Sequence, residues 1–494
     1  MQHSASAGTV DGLLPIVPAP VRARALDAAA FTVTPATTVV AAPGAQAPAA
    51  VVARALGAGG ARVPEVRPAP DEPAAAGLVV LTLTDDVPAG DEAYRLTSGA
   101  DGVRLEARTV DGLHRAAATL GQLVTVDGGA VTVTAAEVED APRFGWRGLC
   151  VDVARHFLPV ADVEVIVDLV AAYKLNVLHV HLTDDQGWRI DLPSWPELAE
   201  RSSGSAVDGG PGGCYTAEDW ASLVAYAAAR GVAVVPEIDV PGHTNAALHA
   251  LPELTPSGEA PAVYTGIGVG FSGLRPELPA TGPFLRDVFG DLAAMTPGAY
   301  LHIGGDEALE MRAEDYVALV GTAVAAVDAA GRSVVAWQEA AAAPLPPGSV
   351  LQYWLERADP APLLAAVDAG ARVVMSPASR VYLDIKHTPD DELGQDWAGH
   401  TELRDAYEWD PATYLPGLDP AAVAGVEATV WTETLRTLDD VTSMLLPRLA
   451  AVAEVAWSSG TDWEDFRARV AQHAAAWDRL GLAWYASPQV DWDR

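Results

Sequence analysis

Cysteine is nearly missing. Two residues in 494, Cys150 and Cys214, cannot form a disulfide framework. Cys150 sits in an apolar run and reads as a small core residue, Cys214 lies in a glycine-rich loop, and no bridge between them is expected. Lysine is almost absent as well, and the formal net charge is -35 at pH 7. Nucleic acid and anionic membranes both require a basic face, so neither is expected as a partner, whereas a neutral substrate suits this charge. No apolar run approaches the length that spans a bilayer. Met1 to Asp11 carries neither a basic patch nor an apolar signal core, which points to a cytoplasmic protein.

Half the residues are apolar and 20% are charged, the balance of a globular chain long enough for two domains. Residues 12–140 read as a small α+β domain. Strands are expected over Phe31–Ala41, Leu78–Thr84, Glu92–Thr97 and Val103–Arg108, and helices over Ala47–Leu56 and Gly112–Val124. Arg67 to Ala76 resembles a Pro/Ala linker. No catalytic constellation is visible there, so a supporting role is expected.

Residues 143–494 alternate apolar strands with helical stretches, the βαβ texture of a parallel sheet. Eight strand candidates follow one another: Trp146–Val153, Val177–Leu182, Val232–Ile238, Tyr300–Ile303, Ser333–Trp337, Val350–Trp354, Arg372–Ser376 and Val426–Trp431. Helical segments such as Val163–Tyr173, Ala217–Arg230, Pro283–Met295 and Ala313–Ala330 separate the first five. Eight such units make a TIM (β/α)8 barrel, whose chemistry belongs at the carboxyl ends of the strands.

Those ends are where the polar and aromatic residues gather. Arg155 and His156 follow the first strand, Asp184 and Asp185 the second, and Asp239 and His243 the third. Asp306-Glu307 follows the fourth after the glycine pair Gly304-Gly305. Trp337 and Trp354 end the fifth and sixth, Tyr382 and Asp384 follow the seventh, and Trp431 and Glu433 end the eighth. Carboxylates and an arginine fork to vicinal hydroxyls while indole faces cover the C–H face of a ring, so the set suits a sugar.

Each of these features also has a blander reading. Asp306-Glu307 could be a solvated strand end, and Gly304-Gly305-Asp306-Glu307 also resembles a turn of diguanylate cyclases, where an aromatic residue is expected in place of Ala308. His179-Val180-His181 has the spacing that opens the ligand set of metal-dependent amidohydrolases, but the later ligands are missing. Packed histidines at the barrel mouth are the better account, and no metal or organic cofactor is expected. Trp146, Trp220 and Trp457 read as core or domain contacts, and Glu310–Asp315 as a solvated helix start.

Five segments together resemble glycoside hydrolase family 20, the β-N-acetylhexosaminidases. They are Asp152 to Phe157, His179 to Arg189, Val235 to His243, His302 to Glu307, and Trp431 to Glu433. The resemblance implies retaining, substrate-assisted hydrolysis, in which the 2-acetamido oxygen of the substrate attacks the anomeric carbon. It implies Glu307 as general acid and base, Asp306 as partner of the acetamido N–H, and Tyr382 as donor to the acetamido oxygen. Trp337, Trp354 and Trp431 would wall the methyl group. Arg155, Asp384 and Glu433 would take the sugar hydroxyls, and Trp397 would carry the sugar on the leaving side. Asp184, Asp239 and His243 would support Glu307 from behind. The family pattern is broken at Gln338, where a histidine is familiar, and at His387 and His400, where aromatic hydroxyls are expected. The long loop containing Glu277 to Gly282 would shape the cleft. An exo-acting enzyme for terminal N-acetylglucosamine or N-acetylgalactosamine is the leading expectation. A disaccharide-releasing, lacto-N-biosidase-like enzyme and a non-catalytic sugar-binding protein are the alternatives.

Overall fold

Gly102–Ala107 buries Val103, Leu105 and Ala107 and leaves Arg104 exposed, so this strand has one face on a core and one toward water. It belongs to a seven-stranded sheet in the computed structural model, which describes residues 12–69, 77–460 and 462–492. The strand order is Arg22–Ala25, Ala136–Asp140, Tyr94–Gly99, Gly102–Ala107, Leu78–Leu83, Thr38–Ala41, Glu65–Pro68. Helices Gln46–Leu56 and Val110–Gln122 contribute Val52, Leu56, Leu113 and Leu120 to the same core as Val39, Leu81 and Leu96. The Thr109 hydroxyl caps the second helix by accepting the Gly112 N–H.

The single strand expected over Phe31–Ala41 is two. Phe31–Thr32 pairs with Ala130–Val133 in a separate three-stranded sheet, while Thr38–Ala41 joins the main one. Between them Thr34 and Thr37 close a turn, the Thr34 N–H donating to Thr37 Oγ1 at 2.9 Å, and Pro35 supplies no ladder donor. Met1–Asp11, and most of the stretch read as a linker, lie outside the described residues.

The eight parallel strands close into the expected barrel: β1 (Trp146–Asp152), β2 (Val177–His181), β3 (Ala233–Glu237), β4 (Tyr300–His302), β5 (Ser333–Trp337), β6 (Val350–Tyr353), β7 (Arg372–Met375) and β8 (Val423–Val430). Closure is the parallel pairing of β8 with β1, with Val426 opposite Arg147. Trp146, Val177, Val235, Val335, Val350, Val374 and Ala424 form an apolar layer at the amino-terminal end of the barrel. Trp146 therefore plugs the floor, as a core residue should.

The first domain seals that same end. Trp457, last residue of the helix Arg448–Trp457, packs into the core of the first domain. Lys174, just ahead of β2, puts Nζ 2.7 Å from Asp140 Oδ2 and 2.9 Å from Tyr94 Oη. The Trp457 indole N–H donates to Asp140 Oδ1 at 2.9 Å. Arg115 and Arg147 meet on Glu92, at 2.7 Å for Arg115. Replacing Lys174 by Met keeps most of the stem and removes the ammonium. Asp140 retains its bonds from Tyr94, Trp457 and two backbone N–H groups. We therefore expect a loss of about 1.5–3 kcal/mol, the range for one hydrogen bond to a charged group. Chemical denaturation would read it, and an unchanged midpoint would contradict it.

Candidate active site

β4 ends at His302, and the chain turns through Gly304 at φ 68°. A Cβ on Gly304 would stand 1.8 Å from Asp239 Oδ1, so no side chain fits there. The Gly305 N–H donates to that same oxygen at 3.1 Å. The turn delivers Asp306 into a buried position and Glu307, itself at φ 46°, to the mouth, where its side chain keeps 29% of its surface. The adjacent acids thus occupy different environments. Burial pushes Asp306 up to about 6 against the pull of His243. Burial and the facing Asp306 hold Asp239 well above the usual carboxylate range.

His243 bridges the third-strand loop to these acids. Its Nδ1 is 3.1 Å from Asp184 Oδ2, and its Nε2 lies 3.6 Å from Glu307 Oε2 and 3.7 Å from Asp306 Oδ2. Its backbone is also left-handed, at φ 51°. Two non-glycine residues in this region, side by side in one site, mark backbone held against its preference by the surroundings. Burial would raise Asp184, but Arg155 and His243 outweigh it and keep the carboxylate well below its ordinary range.

Arg155 is more committed than a free fork would be. One of its terminal nitrogens is 2.7 Å from Asp184 Oδ2 and the other 3.3 Å from Asp152 Oδ2. The guanidinium lies over the Trp431 ring at 5.1 Å. Asp152 also accepts the backbone N–H groups of Ala154, Arg155 and Thr432, so it pins the start of two loops at once. Around this anchor, Arg155 Nε, Asp306 Oδ1, Asp384 Oδ2 and Glu433 Oε2 are buried with no hydrogen-bond partner among the described residues. Buried polar atoms are normally paired, so donors and acceptors converging in this way mark a place for a polar ligand. Burial, with Glu433 beside it, pushes Asp384 well above the usual range, and burial raises Glu433 against Arg155.

An aromatic box adjoins them. Trp354 and Tyr382 stack at 6.1 Å with 11° between planes, and Trp431 lies 5.8 Å from Trp337 and 6.2 Å from Tyr382. Trp397 stands edge-on to Tyr382 at 5.8 Å and is 42% exposed, which puts it on the outside of the box. All the site residues named from the sequence therefore fall in one region. Tyr382 and Asp384 reach it differently than strand geometry would suggest. β7 stops at Met375, a short helix Ala378–Val381 intervenes, and Tyr382 is placed by an isolated bridge to Thr429.

Two functional-looking acids escaped the sequence reading. Glu339 accepts the Trp354 indole N–H at 3.1 Å, and burial together with nearby Asp306 raises it to about 8. Glu237, noticed only as part of a motif, sits among His179, His181, His302 and Trp337. Gln338, where a histidine is familiar, accepts the N–H groups of Trp354 and Leu355 at 2.8 and 2.9 Å and so holds the end of β6. His387 is turned away, paired to Asp391 at 2.9 Å and stacked on Tyr485. Among the described residues, histidine, cysteine and acid atoms do cluster within 4.8 Å in four groups. Both nitrogens of His179 and of His181 already face carboxylates, however, so neither ring offers a free lone pair to an ion.

Residues 144–316 and 313–460 match the model of the glycosyl hydrolase family 20 catalytic domain, and residues 13–141 match domain 2 of that family. The chain belongs to glycosyl hydrolase family 20. It is 57% identical over 482 residues to a beta-N-acetylhexosaminidase of Cellulomonas fimi, covering 97% of each chain. The family 20 beta-N-acetylhexosaminidase structure from Streptomyces coelicolor superposes with a TM-score of 0.92 at 42% identity, over 98% of this chain and 99% of that one. A mutant Streptomyces plicatus beta-hexosaminidase in complex with product GlcNAc matches with the same TM-score of 0.92, identity of 42% and coverage of 98% and 99%. This family 20 member is accordingly a glycoside hydrolase. None of its helices, among the described residues, is long and apolar enough to cross a membrane.

Proposed function

We propose that this family 20 hydrolase is an exo-acting β-N-acetylhexosaminidase, removing one terminal N-acetyl-β-hexosamine at a time with retention. The observation that carries the reading is the split between the adjacent acids: Asp306 buried beside the aromatic box, Glu307 at the mouth beside His243. In the first step the substrate's acetamido oxygen attacks C1 and the bond from C1 to the leaving oxygen breaks. Glu307 gives its proton to that oxygen while Asp306 accepts the acetamido N–H. Tyr382 donates to the acetamido oxygen, and Trp337, Trp354 and Trp431 surround the methyl group. In the second step water attacks C1 of the oxazolinium ion, Glu307 takes its proton, and the C1–acetamido oxygen bond breaks. Two inversions give net retention.

Arg155, Asp384 and Glu433 take the hydroxyls at the closed end, which supports a one-sugar pocket over a disaccharide-releasing one. Trp397 receives the sugar on the leaving side. The presence of both acids supports an enzyme over a binding protein. Two separate apolar cores support a supporting domain at 12–140 and a catalytic domain at 143–494. Release of nitrophenol from its N-acetyl-β-glucosaminide tests the activity, and release only from a disaccharide glycoside would favour the biosidase reading instead.

Arg155→Lys keeps the charge but loses the planar fork that reaches Asp152, Asp184 and the sugar together. We expect kcat/KM to fall by about 1.5–3 kcal/mol, the worth of one charge-assisted hydrogen bond. Unchanged steady-state kinetics would put Arg155 outside the pocket.

A further inference from the structure

We propose that Glu237, at the end of β3, is a positioning residue that aligns both the relay behind Glu307 and the wall of the acetamide pocket. The proposal rests on the reading of Glu307 as the acid. Glu237 is fully buried, and four side chains converge on its two oxygens. Oε1 accepts the Trp337 indole N–H at 2.9 Å and lies 2.8 Å from His302 Nδ1. Oε2 lies 3.0 Å from His179 Nε2 and 2.5 Å from His181 Nδ1. A lone carboxylate at such depth is costly, and this one is held ionised by the imidazoles around it, well below the usual carboxylate range although burial opposes it.

The bonds continue outward in one direction. His181 donates from Nδ1 to Glu237 and from Nε2 to Asp184 Oδ2 at 3.1 Å. Asp184 in turn orients His243, whose Nε2 faces Glu307. A carboxylate at 237 therefore keeps both nitrogens of His181 protonated, and so keeps Asp184 an acceptor for His243. When Glu307 releases its proton, the His243 N–H is already aimed at the carboxylate left behind. The other oxygen of Glu237 sets the tilt of Trp337, 5.8 Å from Trp431 in the box. His179 extends the chain inward to Glu427 at 2.9 Å, which anchors the hub to the barrel interior. One buried charge thus serves two parts of the reaction.

Glu237→Gln keeps the shape but turns one acceptor into an N–H2. The test is kcat/KM over aryl N-acetyl-β-glucosaminides of rising phenol pKa, with a pH profile and the affinity of a thiazoline inhibitor. We expect a fall of about 10- to 100-fold for poor leaving groups, a smaller fall for good ones, and weaker inhibitor binding. The groups facing His181 are Glu237, Asp184 and Asp152, which hold it up at about 9 against burial. Losing the Glu237 charge should therefore move the alkaline limb to lower pH. Should the variant not fold, two others separate the arms. His181→Gln should steepen the leaving-group dependence and spare the inhibitor, whereas Trp337→Phe should weaken the inhibitor without steepening the dependence. Wild-type leaving-group dependence and pH limbs in both Glu237→Gln and His181→Gln would overturn the proposal. An unchanged dependence in Glu307→Gln, with equal loss for every leaving group, would instead overturn the reading beneath it.

Discussion

Glu307→Gln should reduce kcat/KM for oligosaccharide substrates by about 10²–10⁴-fold, the worth of a positioned general acid. Glutamine fills the same space but its amide N–H is far too weak an acid to give up a proton, so an alkoxide sugar would have to depart unprotonated. A nitrophenolate is stable without that proton, and the loss in its cleavage step should shrink accordingly. Azide should restore turnover where the second step limits, because it attacks C1 without needing a base. Binding of the product sugar should survive, since Glu307 stands at the mouth while Arg155, Asp384 and Glu433 line the closed end. Equal loss across the leaving-group series in the bond-cleavage step would contradict this assignment.

That prediction could be framed from residues alone because the signals for Glu307 are local. A glycine pair after a short apolar strand, followed by two acids, reads as a strand end opening on a site, and Gly304 proves unable to carry a Cβ beside Asp239. The barrel was legible for a similar reason: strands buried on both faces, such as Ser333–Trp337 from Val334 onward, read as unbroken apolar runs. The edge strands Arg22–Ala25 and Glu65–Pro68 are largely exposed and carry no such pattern, so both went unseen. Glu237 and Glu339 were illegible as partners for a different reason. Each lies at a strand end beside residues with an evident role, and what they bind, the indoles of Trp337 and Trp354, is distant or ambiguous in sequence. The commitment of Arg155 to Asp152 and Asp184 was equally hidden, because only folding brings β2 against β1 with Asp152 opposite His181.

Asp306→Ala should slow bond cleavage by about 10²–10³-fold, because the acetamido N–H loses its carboxylate just as positive charge spreads onto the group. Asp306 follows the same strand as Glu307 and sits deeper, so the two are not arranged as an acid and a nucleophile across the sugar ring. The wild-type enzyme should need Asp306 ionised. Burial raises it to about 6, with His243, Glu307 and Asp239 facing it, so kcat/KM should fall as pH drops through about 6. Asp306→Asn should lose that limb. If the acetamido oxygen is the nucleophile, replacing the acetyl methyl hydrogens one by one with fluorine withdraws electron density from it and should slow cleavage step by step. A thiazoline, stable where the oxazolinium ion is not, should bind wild type far more tightly than substrate does, and Asp306→Ala should lose most of that advantage. A covalent sugar ester trapped on Asp306, with rates indifferent to fluorination, would replace this mechanism by one using an enzyme nucleophile.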